Sequence, residues 1–109
     1  MDCIFDRIAS GQSSSDVVYQ DETVMAFRDI HPKAPIHILI IPKKHITSLA
    51  EIKSADLPIV THMIEVANLV ARQQGIGQGY KLVINTGREG GQVVMHLHMH
   101  LLGGRRMEE

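Results

Sequence analysis

The segment VVMHLHMHLLGG, residues 93–104, alternates apolar and polar side chains from His96 to Leu101. A period of two is the period of a β-strand. It places His96, His98 and His100 on one face and Leu97, Met99 and Leu101 on the other. The apolar row needs a core to pack against, so the strand must belong to a sheet with one covered face and one chemically equipped face. Gly103 and Gly104 close the run. The expectation is a long alternating strand over residues 93–104.

The rest of the chain supplies the partners. CIFDRIAS (3–10) sets Ile4, Phe5 and Ile8 at helical spacing ahead of Gly11, a short amphipathic helix. VVYQD (17–21) and VMAFRD (24–29) flank Glu22 and Thr23 and read as a β-hairpin. IHILIIP (36–42) is a β-branched run ended by Pro42, a central strand buried on both faces. SLAEI (48–52) suggests a helical turn. From about Ala55 to Gln74, an apolar stripe of Leu57, Val60, Met63, Ile64, Ala67, Val70 and Ala71 predicts the long helix. Pro58 sits in its first turn and Gly75 stops it. YKLVIN (80–85) reads as a further strand, and TGREGGQ (86–92) as a glycine-rich loop. This order favours an α+β fold with a mainly antiparallel sheet. At 109 residues, with no repeat and no linker, the chain is expected to form a single domain, residues 1–109.

Composition excludes several function classes. A formal net charge of -1 gives no basic excess for broad nucleic-acid binding. One cysteine, Cys3, forms no intrachain disulfide and excludes zinc sites built from several thiolates. The apolar runs are too short for a membrane span, and MDCIFDRIASG carries charges where a secretory leader needs an apolar core. No membrane association and a cytoplasmic location are therefore expected.

The histidine row spans roughly 13–14 Å from His96 to His100, so three imidazoles can line one extended ligand more easily than they converge on one metal ion. A metal site would need a bulge, with His37 as a further ligand, and no metal or other cofactor is expected. Gly87, Gly90 and Gly91 permit the backbone conformations of an anion-binding nest immediately upstream. Taken alone that loop is an ordinary turn; beside the histidines it suggests a phosphate. Imidazole serves near neutral pH as nucleophile or as proton donor. Attack by histidine on phosphorus divides a difficult displacement into two steps through a covalent intermediate.

His96-Leu97-His98-Met99-His100-Leu101-Leu102 resembles the His-φ-His-φ-His-φ-φ signature of the histidine triad (HIT) family, and Gly103-Gly104-Arg105 continues as in its Hint branch. The similarity extends through IFDRI, AFRDIHPKAPIHILIIPKKHI and YKLVINTGREGGQ. The resemblance implies a HIT fold with a five-stranded antiparallel sheet, one long helix and one short N-terminal helix. It also implies a homodimer joined into a continuous ten-stranded sheet through the long helix and the YKLVIN strand.

The implied activity is hydrolysis of the P–N bond of purine nucleoside phosphoramidates through a nucleotidyl-histidine. The alternatives are a dinucleoside polyphosphate hydrolase and a nucleotide-binding regulatory protein with weak catalysis. The resemblance gives His98 the role of nucleophile and His100 that of donor to phosphate oxygen. His96 orients the nucleophile partly through its carbonyl, and His37 completes the relay. Asp29 would bind the ribose hydroxyls, and Asn85 would contact the substrate near the leaving group. Ile4, Phe5, Ile8, Phe27 and Ile30 would wall the nucleobase, and Gly91 with the following backbone would meet the α-phosphate. Two departures from the Hint pattern bear on the leaving group. Val93 stands where Ser usually follows GGQ, leaving only a backbone N–H there, and the Trp-Pro-Pro tail of longer Hint chains does not occur within residues 1–109.

The remaining candidates receive local roles. His31 lies in a turn near the expected ribose site. His45 caps or packs locally, and His62 is expected to be solvated off the helix's apolar stripe. Cys3 reads as a small packed residue, and Lys43-Lys44 and Arg105-Arg106 as solvated charges.

Overall fold

The computed structural model describes residues 3–109. The elements are α1 (Ile4–Ala9), β1 (Val17–Gln20), β2 (Val24–Arg28), β3 (Ile36–Pro42), α2 (Leu57–Gln73), β4 (Lys81–Val83) and β5 (Met99–Gly103). The strands form one antiparallel sheet in the order β1-β2-β3-β5-β4. The fold is therefore the α+β, five-stranded arrangement with one long and one short helix.

The β1–β2 turn is set by Asp21, whose Oδ1 accepts the N–H groups of Thr23 and Val24, both at 2.9 Å. Prolines and glycines mark the other boundaries. Pro58 opens α2, and Gly75, at φ 78°, follows its C-terminus.

The sheet carries a different layer on each face. In register, Ile38 faces Leu101 and Ile40 faces Met99. With Val24, Ala26 and Leu97 these side chains pack under Met63, Val66, Ala67, Val70 and Ala71 of α2. The opposite face, with Met25, Phe27, Leu39 and Ile41, is covered by Phe5 and Ile8 of α1. β3 is buried on both faces, as its uninterrupted apolar run requires. His37 and His100 fall on the α1 side, because His37 pairs with Leu102 and Leu39 with His100. α2 thus stabilises one face while the other, only partly covered by six helical residues, is available for chemistry.

Two sequence expectations are corrected. The buried stripe of α2 includes Val66, whereas Leu57 is 55% and Ile64 45% exposed. Positions 63, 66, 67, 70 and 71 are the i, i+3, i+4, i+7, i+8 set of one narrower helical face. The long strand is also shorter than its alternation implies: regular pairing covers Met99–Gly103, and residues 93–98 are irregular. Continuing the β3–β5 register would bring Leu97 opposite Pro42, which has no N–H to extend the ladder. The Leu97 N–H instead donates to the Ile46 carbonyl at 2.6 Å. Alternation persists without the ladder: Leu97, Met99 and Leu101 are all buried against the α2 layer.

Candidate active site

His98 and His100 lie side by side on the α1 face, with ring centroids 5.0 Å apart, and His100 stands 5.2 Å from His37. The Phe5 ring meets His98 edge-to-face at 5.2 Å. His96 continues the row on the far side of His98; its ring is fully buried and meets His45 at 4.8 Å.

The hydrogen bonds assign a proton to each ring. His98 Nδ1 lies 2.7 Å from the His96 carbonyl oxygen, which only accepts, so Nδ1 carries the proton and Nε2 holds a free lone pair. The Lys33 N–H donates to His37 Nδ1 at 3.0 Å, so a neutral His37 carries its proton on Nε2. That Nε2 lies 2.9 Å from His100 Nδ1. His37 therefore donates to His100, and the neutral His100 keeps its proton on the outward-facing Nε2. The result is a basic nitrogen on His98 beside an N–H donor on His100.

Electrostatics favours the neutral form of His37, His96 and His100. Burial pushes the His100 imidazole down to about 4, and repulsion from His98 and His37 adds to it. Burial also lowers His37, partly offset by the carboxylate of Asp29, and lowers His96, partly offset by the Pro42 carbonyl and Asp6.

Beside this row is a cavity of about 330 Å³. Ile4, Phe5, Ile8, Phe27, Asp29 and Ile30, all singled out in the sequence, line it together. Leu39, Val94, Ser14, Ser15 and Arg28 complete the wall and were not anticipated. Ile30 is 85% exposed, so an apolar side chain stands at the mouth without packing on the core. Asp29 is held there by the His31 N–H, which donates to its Oδ1 at 2.8 Å, while its Oδ2 lies 3.5 Å from His37 Nε2.

The glycine-rich loop differs from the expected nest. The N–H groups of Gly90, Gly91 and Gln92 all donate back into the loop, to Gly87, Arg88 and Gly87. Among the described residues, the Val93 N–H has no protein acceptor, and the Val93 side chain is 86% exposed. Gly91 adopts φ 90°, and a Cβ there would lie 3.4 Å from Asn85 Nδ2, which itself donates to the Gly90 carbonyl at 2.9 Å. Asn85 thus braces this loop.

Gln92, which sequence reasoning missed, is buried and holds the loop together. Its Oε1 accepts the Gly87 N–H at 2.9 Å, and its Nε2 donates to the carbonyls of Thr47 (2.8 Å) and Val94 (3.0 Å). A polar residue directly after two glycines is the signal that was available, but nothing local distinguishes a buried brace from a solvated side chain.

His45, Cys3 and His62 are also more engaged than expected. His45 Nδ1 lies 2.9 Å from Asp6 Oδ2, and His96 Nδ1 lies 3.2 Å from Asp6 Oδ1 and 3.6 Å from Cys3 Sγ. One donor atom from each of Cys3, Asp6, His45 and His96 falls within 4.8 Å of the others; Asp29, His37 and His100 form a second such group. Imidazole nitrogen, thiolate sulfur and carboxylate oxygen are the ligand types of zinc, so the four-residue set fits a zinc-type ion by its chemistry. The triad histidines do not themselves converge. His62 is not freely solvated: it bridges Asp21 Oδ2 at 2.6 Å and Glu65 Oε1 at 3.0 Å.

The comparisons agree with this architecture. Residues 10–107 match the HIT domain family. A purine nucleoside phosphoramidase of Escherichia coli (strain K12) is 50% identical over 103 residues, covering 94% of this chain and 87% of that protein. A 14 kDa zinc-binding protein of Zea mays is 51% identical over 106 residues, covering 95% and 83%. The crystal structure of a HIT family hydrolase from Legionella pneumophila superposes with a TM-score of 0.96 at 44% identity, covering 98% of this chain and 96% of that one.

Proposed function

The chain belongs to the HIT domain family and is a hydrolase of it, and on that premise we propose that it hydrolyses the P–N bond of purine nucleoside phosphoramidates through a nucleotidyl-His98 intermediate. The observation that carries the reading is the pairing of a free Nε2 lone pair on His98 with an outward N–H on His100, beside an apolar cavity with a carboxylate at its mouth.

The substrate's base enters between Ile4, Phe5, Ile8, Phe27 and Ile30, and Asp29 accepts its ribose hydroxyls. His98 Nε2 attacks the α-phosphorus; a phosphorus–nitrogen bond to His98 forms as the bond to the leaving amine breaks, and the leaving nitrogen takes up a proton from solvent, which the attacking water returns in the second step. The His100 N–H and the Val93 N–H stabilise the developing charge on the phosphate oxygens. Asn85 and Gly91 position the loop over the phosphate, and the His96 carbonyl fixes the attacking ring. Water then displaces His98, releasing the nucleoside monophosphate and restoring the neutral imidazole. The phosphoramidate reading is favoured over dinucleoside polyphosphate hydrolysis by the activity named for the E. coli relative.

The Zea mays relative is named a zinc-binding protein, and Cys3, Asp6, His45 and His96 are the residues that would hold such an ion here. When bound it supplies a fixed charge and a geometric anchor between α1 and His96.

As a functional unit the chain is proposed to be a cytoplasmic single domain and a homodimer. β4 is an edge strand, and Leu57 and Ile64 of α2 present apolar surface. Among the described residues no helix is long and apolar enough to cross a membrane.

The test compares wild type with His98→Ala on an adenosine phosphoramidate and on a diadenosine polyphosphate. The expected result is preferential turnover of the phosphoramidate by wild type and none by a folded His98→Ala protein. Preference for the polyphosphate would replace the substrate assignment, and an active His98→Ala would remove the mechanism.

A further inference from the structure

We propose that a zinc-class divalent ion on Cys3, Asp6, His45 and His96 is thermodynamically coupled to nucleotide binding, each ligand raising the other's affinity by fixing α1 against the histidine row. The proposal rests on the nucleotide reading of the α1 cavity.

The first support is a buried nitrogen that lacks a settled partner. His96 Nε2 lies 2.8 Å from the Pro42 carbonyl and must donate to it. In the neutral ring Nδ1 then holds a lone pair, yet it faces the Asp6 carboxylate at 3.2 Å in a fully buried position. The Cys3 thiol, with Sγ 3.6 Å away, is only a weak donor to that lone pair, and a cation in place of its proton would bind the lone pair, the thiolate and the carboxylate together. Cys3 Sγ and His45 Nδ1 complete the set, one ligand atom from each of the four residues lying within 4.8 Å of the others. Two imidazoles, one thiolate and one carboxylate suit zinc-type ions better than magnesium or calcium, which take oxygen ligands.

The second support is where the four ligands sit. Cys3 caps α1 and Asp6 lies within it; between them are Ile4 and Phe5, which line the nucleobase cavity. His45 comes from the segment after β3, and His96 supplies the carbonyl that orients His98. A helix of six residues is marginal on its own, and the Cys3 side chain makes no cap hydrogen bond. An ion bonded to both ends of Ile4-Phe5 and to His96 holds the pocket wall and the nucleophile's support in one arrangement. The nucleotide then binds a pre-ordered site, and linkage requires the reciprocal effect on the ion.

The experiment titrates AMP calorimetrically into chelator-treated protein and into the same protein reconstituted with one equivalent of zinc. The reciprocal zinc affinity is read by chelator competition with and without AMP. Cobalt substitution reports thiolate ligation by its visible absorption. The expected result is one zinc per chain, AMP about five-fold or more tighter with zinc, and an equal factor in the reciprocal titration. Cys3→Ala should bind AMP as the chelator-treated wild type does and show no zinc effect. No stoichiometric zinc binding, an AMP affinity indifferent to zinc, or the same zinc effect in Cys3→Ala overturns the coupling alone. AMP binding in neither state overturns the nucleotide reading, and the coupling with it.

Discussion

Replacing His37 by leucine tests the proton assignment on which His100 depends. His37 Nε2–H donates to His100 Nδ1 at 2.9 Å, and that bond keeps the His100 proton on Nε2, the nitrogen proposed to meet the phosphate. Leucine fills the space on buried β3 but leaves His100 Nδ1 without a donor. An orphaned buried acceptor costs about 1–3 kcal/mol, and His100 escapes that cost by changing tautomer, which removes its N–H from the phosphate. The tautomer change deprives the transition state of that N–H, a loss of about 1–3 kcal/mol or roughly 5- to 150-fold in kcat/KM. The assay is steady-state turnover of an adenosine phosphoramidate, with urea unfolding as a check on stability. His37→Gln, whose amide can still donate to His100, should retain more activity than His37→Leu. A kcat/KM for His37→Leu within two-fold of wild type, or equal losses in the leucine and glutamine variants, would refute the relay.

Other expectations follow from the same structure. Asp29→Ala should weaken the preference for ribose over 2′-deoxyribose substrates, since a charged acceptor contributes about 1.5–3 kcal/mol per hydrogen bond; kcat/KM for the matched substrate pair measures it. Gln92→Ala removes three hydrogen bonds that brace the loop, and should lower unfolding free energy by about 2–4 kcal/mol in urea titrations. His62 is held above its ordinary range by its hydrogen bonds to Asp21 and Glu65. Burial would raise Asp21, but the bonds from Tyr19, His62 and the turn amides outweigh it and lower it overall. The His62 contribution is therefore complete below about pH 6.5 and is lost as pH rises through the raised folded value; the Asp21 contribution is lost only in acid. His62 is partly exposed, so His62→Gln should cost only about 0.5–1 kcal/mol at pH 5.5 and almost nothing at pH 9, read by unfolding at both.

The alternation around the histidines placed Leu97, Met99 and Leu101 on the core side correctly, because side-chain direction depends on backbone extension. It overstated the strand, because pairing depends on the partner, and Pro42 ends what β3 can offer. The IHILIIP run and the Gly75 stop were legible for a similar reason: each reflects a local backbone or burial preference. What local sequence could not reveal is convergence. Cys3 and His96 are 93 positions apart, Gln92 reaches back to Thr47, and His62 meets Asp21 across the α2 layer. In each case an ordinary side chain gains its role from a partner that only the folded sheet supplies. The loop shows the converse: Gly87 and Gly91 do adopt positive φ, but the N–H groups of Gly90, Gly91 and Gln92 close back on the loop.

In the proposed mechanism His98 supplies the nitrogen that bonds to phosphorus, because its Nδ1 is committed to the His96 carbonyl and Nε2 is left to attack. Rapid quenching of the enzyme with an adenosine phosphoramidate, followed by peptide mass spectrometry, tests it most directly. The expected result is an adenylyl group on His98 that forms and decays at rates consistent with turnover. An adduct on His96 or His100 instead, or turnover with no enzyme-bound nucleotide at any time, would contradict it.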